Sequence, residues 1–87
     1  MLREDIEEFA YENDLKLKFA DGFDEAILGI SQYLGNDQVV YDSNKCIDIL
    51  TEQMDSDEAL EYFHTNLIGA YIGENTPIFV ETKLYCF

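Results

Sequence analysis

The chain has 87 residues, with 19 Asp+Glu against 5 Lys+Arg and a formal charge of −14 at pH 7. That balance excludes direct binding of a nucleic-acid backbone, which needs clustered lysine and arginine, and argues against docking on an anionic membrane. Hydrophobic residues make up 47%, so a core is expected within a single acidic α+β domain over 1–87, while no apolar run is long enough to cross a bilayer.

Residues 3–13 are predicted to form a helix. Leu2, Ile6, Phe9 and Ala10 recur at helical spacing on one side, and Glu4, Glu8 and Glu12 line the other, flanked by Asp5 and Glu7. Leu15-Lys16-Leu17-Lys18-Phe19 alternates strictly and predicts a strand with the lysines outward. Ala20-Asp21-Gly22 reads as a turn. A hairpin follows, with strands near 25–33 and 38–42 joined at Gly35–Asp37. A helix at 24–34 is the competing reading, because Ile27, Ile30 and Leu34 also fit helical spacing.

Asp42 or Ser43 is expected to cap a second helix running to about Met54. Its inner face would carry Cys46, Ile49, Leu50 and Gln53, with Asp48 and Glu52 opposite. Asp55 at a cap, with Glu58 three residues on, starts a third helix expected over 56–71. Its main stripe is Ala59, Leu60, Phe63, Leu67, Ala70 and Tyr71. Gly73 suits its end, Asn75-Thr76-Pro77 a turn, and Ile78–Thr82 a last strand. Ile68 and Ile72 fall outside that stripe, so they either pack within the monomer or form an apolar interface, a homodimer included. The expected fold is a small, mostly antiparallel sheet with an N-terminal helix and two consecutive helices packed on it.

Catalytic motifs are missing from the pattern. The glycines are scattered, with no phosphate loop and no nucleophile elbow. Cys46 and Cys86 form no Cys-x-x-Cys pair, and His64 alone could join them, so no zinc site is expected. Asp55-Ser56-Asp57-Glu58 lacks the glycine and the distal glutamate of a calcium loop. A non-enzymatic protein without metal or cofactor is expected. Its N-terminus, Met-Leu-Arg-Glu-Asp-Ile, has no apolar signal core, which fits a cytoplasmic location.

The acids are the outstanding feature. A charge of −14 is well above the magnitude of about 2–8 that solubility needs. Glutamates on successive turns lie about 6 Å apart, a spacing comparable to phosphates along one strand. Glu4, Glu7, Glu8 and Glu12, with Asp48, Glu52, Asp57, Glu58 and Glu61, are therefore the candidate partner-binding residues. Ile68 and Ile72 form the alternative surface, on which the acids would supply only solubility and steering. Plainly solvated helix faces, or adaptation to salt, would also give such a composition.

Tyr41-Asp42-x-x-Lys45-Cys46-Ile47-x-Ile49-Leu50, Glu58-Ala59-x-Glu61-Tyr62-Phe63 and Asn66-x-x-Gly69-Ala70-Tyr71-x-Gly73-Glu74-x-Thr76-Pro77-x-Phe79 together resemble a group of small phage- and prophage-encoded proteins of uncharacterised function. Asp21-Gly22-Phe23-x-x-Ala26-Ile27-x-Gly29 resembles their upstream segment. The resemblance implies the cytoplasm of an infected bacterium. It favours an acidic inhibitor that mimics DNA and binds a host protein with a basic nucleic-acid-binding surface, of the anti-CRISPR or anti-restriction type. The motif residues themselves suit structural roles.

Overall fold

A computed structural model describes residues 3–33, 36–69 and 73–82. The first helix, α1, spans Arg3–Glu12 and buries Ile6 and Ala10, as its apolar spacing requires. Its end is closed by hydrogen bonds from the Leu15 N–H to the Ala10 carbonyl (2.8 Å) and from the Asp14 N–H to the Tyr11 carbonyl (3.4 Å). This is the Schellman arrangement, which places one residue in the left-handed region. That residue is Asp14, with φ of 54°. Glycine adopts this conformation without a Cβ penalty, although it also raises the entropy of the unfolded chain. Asp14→Gly also removes an anion from the negative end of the helix dipole. The substitution should stabilise the protein by about 0.5–1 kcal/mol, seen as a higher urea midpoint. A lower midpoint would mean that the Asp14 side chain holds the turn.

Leu15–Phe19 is not a strand. Leu17 and Phe19 do turn inward and pack against the core, and Lys16 is exposed, but the backbone finds no ladder. Alternation reports which side is buried; it does not supply a neighbouring strand. The segment is held instead by the Ala20 N–H, which donates to the Tyr41 hydroxyl at 2.7 Å. Arg3 also contributes, with its guanidinium 4.3 Å from the centre of the Phe19 ring.

A single 3₁₀ turn at Asp24–Ala26 replaces the expected beginning of the first strand. The hairpin follows: β1 spans Ile27–Tyr33 and β2 spans Asn36–Asp42, so the helical alternative for 24–34 is overturned. The strands are antiparallel, from Ile27 opposite Tyr41 to Tyr33 opposite Asn36, with a bulge at Leu28. Asn36 and Asp37 belong to β2 rather than to the turn.

Helix α2 covers Ser43–Leu50, four residues shorter than the sequence suggests. The Glu52 and Gln53 N–H groups bond the Ile49 and Leu50 carbonyls three residues back, tightening the chain into turns. Gln53 is consequently exposed rather than on the inner face. Helix α3 covers Ser56–Tyr62, and Phe63–Ile68 continues it as a π-helical segment. Its signature is the Gly69 N–H bonded to the His64 carbonyl at 3.1 Å, five residues back. A Cβ at position 69 would lie 2.9 Å from the Thr65 carbonyl oxygen, so the close approach requires glycine. Ala59 and Phe63 carry the buried stripe, whereas Leu60, expected with them, is exposed. Ala70, Tyr71 and Ile72 lie outside the described residues, as does the Gly35 end of the hairpin turn. Gly73 has the positive φ expected of it, 98°, although the helical segment already ends at Ile68.

Strand β3, Ile78–Val80, is shorter than expected and runs parallel to β2, with Tyr41 opposite Phe79. The sheet order is β1-β2-β3. The fold is thus α+β, with a three-stranded, mostly antiparallel mixed sheet. Parallel strands need a long crossover, and α2 with α3 supplies it. Central β2 contributes Val39 and Tyr41 to a core shared with Ile6, Phe23, Ala26, Ile27, Cys46, Leu50, Ala59 and Phe63. Tyr41 stacks on Phe79 (5.4 Å between ring centres), and Phe63 meets Phe79 edge-on at 5.5 Å.

Candidate functional site

Two caps fix where α2 and α3 begin. Asp42 precedes α2, and its carboxylate accepts from the Asn44 N–H at 3.0 Å and from the Thr82 hydroxyl at 2.9 Å. Asp55 precedes α3 and accepts from the Glu58 N–H at 2.9 Å. That bond holds Asp55 below the usual carboxylate range, while the hydrogen bond to the Asp55 side chain pushes Glu58 above it. The two shifts act oppositely on stability. The lowered Asp55 favours folding above its unfolded pKa and loses this as pH falls through its folded value. The raised Glu58 favours folding at lower pH and loses this as pH rises through its folded value.

All nine candidate carboxylates are exposed, but they differ in how far folding accounts for them. Asp57 and Glu58 lie in the first turn of α3, where the helix dipole stabilises anions. Glu52 lies past the end of α2, so it does not stack on Asp48 by helical register. Glu7 faces Arg3 at 3.9 Å, and the same guanidinium reaches Asp21 at 3.2 Å and Asp24 at 3.4 Å. Arg3 therefore ties α1 to the turn before β1.

Glu4, Glu8 and Glu12 are the residue of this accounting. They make one row along α1 at i, i+4 spacing, and among the described residues none has a cationic partner. Glu4 sits in the favourable first turn. Glu12 lies in the last turn, where the dipole disfavours anions and no basic residue is present. Each glutamate also repels the next along the row. Nothing in the packing requires this row.

The carboxylates fall into two groups. Helix α1 packs against β1, whereas α2 and α3 pack on each other. In the second group Glu58 and Glu61 line a cleft of ≈ 300 Å³ with Met54, Tyr62, Thr65 and Asn66. Ile68, on the alternative apolar surface, is 51% exposed, and Leu60 and Tyr62 are exposed on the same helical segment. Ile72 lies outside the described residues.

The sequence reading missed a cleft of ≈ 370 Å³ between α1 and β1, lined by Asp5, Ile6, Phe9, Ile30 and Gln32. Its signal was available: Ile27–Tyr33 carries no charge in a chain that is 28% charged.

Cys46 is fully buried, and burial pushes its thiol up to about 12. It is therefore a protonated packing residue at neutral pH, while His64 is exposed. In a Cys86→Ser variant, which leaves Cys46 as the sole cysteine of the two in the chain, a thiol reagent such as DTNB should react only as the protein unfolds. Prompt reaction in native buffer would show an accessible thiolate.

Among the described residues no group of three or more His, Cys, Asp or Glu side chains is arranged to hold a metal ion, and no helix is long and apolar enough to cross a membrane. No family model, curated protein or solved structure matches the chain.

Proposed function

We propose that this protein is a non-enzymatic inhibitor encoded by a phage or prophage, which acts in the cytoplasm of an infected bacterium. It occupies the basic nucleic-acid-binding surface of a host defence protein of the CRISPR or restriction type, with carboxylates standing in for phosphates. The observation that supports this reading best is the unpartnered Glu4-Glu8-Glu12 row, in which each glutamate repels the next and Glu12 stands at the negative end of the helix dipole. Asp48, Glu52, Asp57, Glu58 and Glu61 extend the negative field on the α2–α3 side. The resemblance to small phage proteins supplies the biological setting. Its motif residues Tyr41, Asp42, Cys46, Gly69, Gly73 and Phe79 have structural explanations above and are assigned no contact role.

Exposed Ile68, with Leu60, favours a second reading: a small regulatory module or homodimer acting through an apolar face. One experiment separates the two. Immobilised protein is incubated with bacterial host lysate and eluted in salt steps, or with free duplex DNA as competitor. A nucleic-acid-binding protein released by DNA or moderate salt is the expected result. A partner that resists both, and is lost with Ile68→Asp, would transfer the contact to the apolar face.

A further inference from the structure

The sheet ends at β1. Its neighbour on one side is β2; the Ile27 N–H bonds back to the Asp24 carbonyl, and the described residues pair no backbone group of Gly29–Tyr33 on the other side. Natural edge strands are usually short, or carry lysine or proline that blocks further pairing. Here the edge is Ile-Leu-Gly-Ile-Ser-Gln-Tyr, seven residues with no charge and no proline. The bulge at Leu28 disturbs one end, leaving Gly29–Tyr33 in regular register.

The cleft between α1 and β1 lies along this strand. Ile30 and Gln32 line it from β1, as Ile6 and Phe9 do from α1, so its interior is mostly apolar. Asp5 stands at its side. Among the described residues Asp5 has no cationic partner.

We infer that the outer edge of β1, with the α1–β1 cleft, docks an extended segment of a partner protein that presents apolar residues and a lysine or arginine at every second position, on one face. Backbone groups of the segment would pair with β1, which gives affinity independent of sequence. Alternate side chains fall on one face of a strand, so every second residue would reach the cleft between Phe9 and Ile30. A cation at one of those positions would meet Asp5, while the intervening side chains would point away from α1. A second copy of this chain is disfavoured at the same edge, because each copy carries a charge of −14 and brings the acidic row of α1 with it. The inference does not depend on a nucleic-acid-handling partner; any protein presenting such a strand qualifies.

The test uses the isotopically labelled full chain and a short synthetic peptide with valine and lysine in turn at every second position and threonine between them. Amide shifts and slowed hydrogen exchange confined to β1 and the first turns of α1 are expected, and the matching glutamate–valine peptide should give neither. Asp5→Lys and Gln32→Lys change exposed residues at the cleft, and each should weaken the peptide about tenfold. Glu74→Lys makes the same charge reversal as Asp5→Lys, before β3 at the opposite edge of the sheet, and should leave affinity unchanged. Circular dichroism checks that each variant is folded. Absence of binding, equal weakening by Glu74→Lys, or shifts spread over α2 and α3 would overturn the inference. Dilution-dependent shifts of β1 without peptide would overturn it in favour of a second copy as occupant.

Discussion

Reversing Glu4, Glu8 and Glu12 to lysine together is expected to abolish capture of a basic partner, and Glu8→Lys alone to weaken it at least about tenfold while raising the melting temperature. The opposite signs follow from one feature. In the native chain Glu8 repels Glu4 on one side and Glu12 on the other, each pair destabilising α1 by about 0.2–0.5 kcal/mol. Lysine at position 8 turns both repulsions into attractions, and Glu4 preceding Lys by four residues is the better orientation. A gain of about 1 kcal/mol corresponds to roughly 4–8 °C in a domain of this size. A partner that reads the row as phosphates loses a contact at its centre and meets a like charge instead. Surface plasmon resonance against the captured partner and a thermal scan read the two effects on one preparation. Unchanged binding would remove the row from the interface. A lower melting temperature would show that the row is needed for folding, and its status as a functional burden would be lost.

Phe63→Ala should be the most damaging single substitution for stability. Phe63 is 1% exposed at the junction where α3 passes into the π-helical segment, and it meets Phe79 of β3 edge-on. Truncating a buried phenylalanine costs about 3–5 kcal/mol in lost transfer energy and residual cavity. Domains are stable by about 0.05–0.15 kcal/mol per residue, so this chain has little beyond that to lose. A fall in melting temperature of about 15–30 °C, or outright failure to fold, is expected. Phe63→Leu should cost far less, because it keeps most of the volume. A loss under about 1 kcal/mol for Phe63→Ala would show that the contact with Phe79 does not hold β3 to the core.

What the sequence made legible was local. The caps Asp42 and Asp55 announce α2 and α3 because a side-chain oxygen must satisfy an N–H two or three residues on, a relation visible in any short window. The exposure of all nine candidate carboxylates was legible for a similar reason, since an unpaired charge stays in water. Leu15–Phe19 misled because its period describes burial while strand formation depends on a neighbour elsewhere in the chain. The parallel register of β3 on β2 was invisible because Tyr41 and Phe79 are brought together by the whole crossover between them. The π-helical turn at Phe63–Ile68 was equally hidden: its apolar residues fit an α-helical stripe, and Gly69 reveals its purpose only beside the Thr65 carbonyl. For the site, the residue types were readable, and their division between an α1 group and an α2–α3 group was not.

The parallel seating of β3 also sets an order in time. The β1–β2 hairpin closes over a short stretch of chain and can form within microseconds. Pairing Asp42 with Val80 must wait until α2 and α3 are laid down, because the loop between them has to close before any contact rewards it. Phe79 therefore joins the Tyr41 and Phe63 rings late, and substitutions in β3 should speed unfolding far more than they slow folding. Until that moment both edges of β2's small sheet are open, and strong negative charge on every copy is what keeps half-folded chains from pairing with one another.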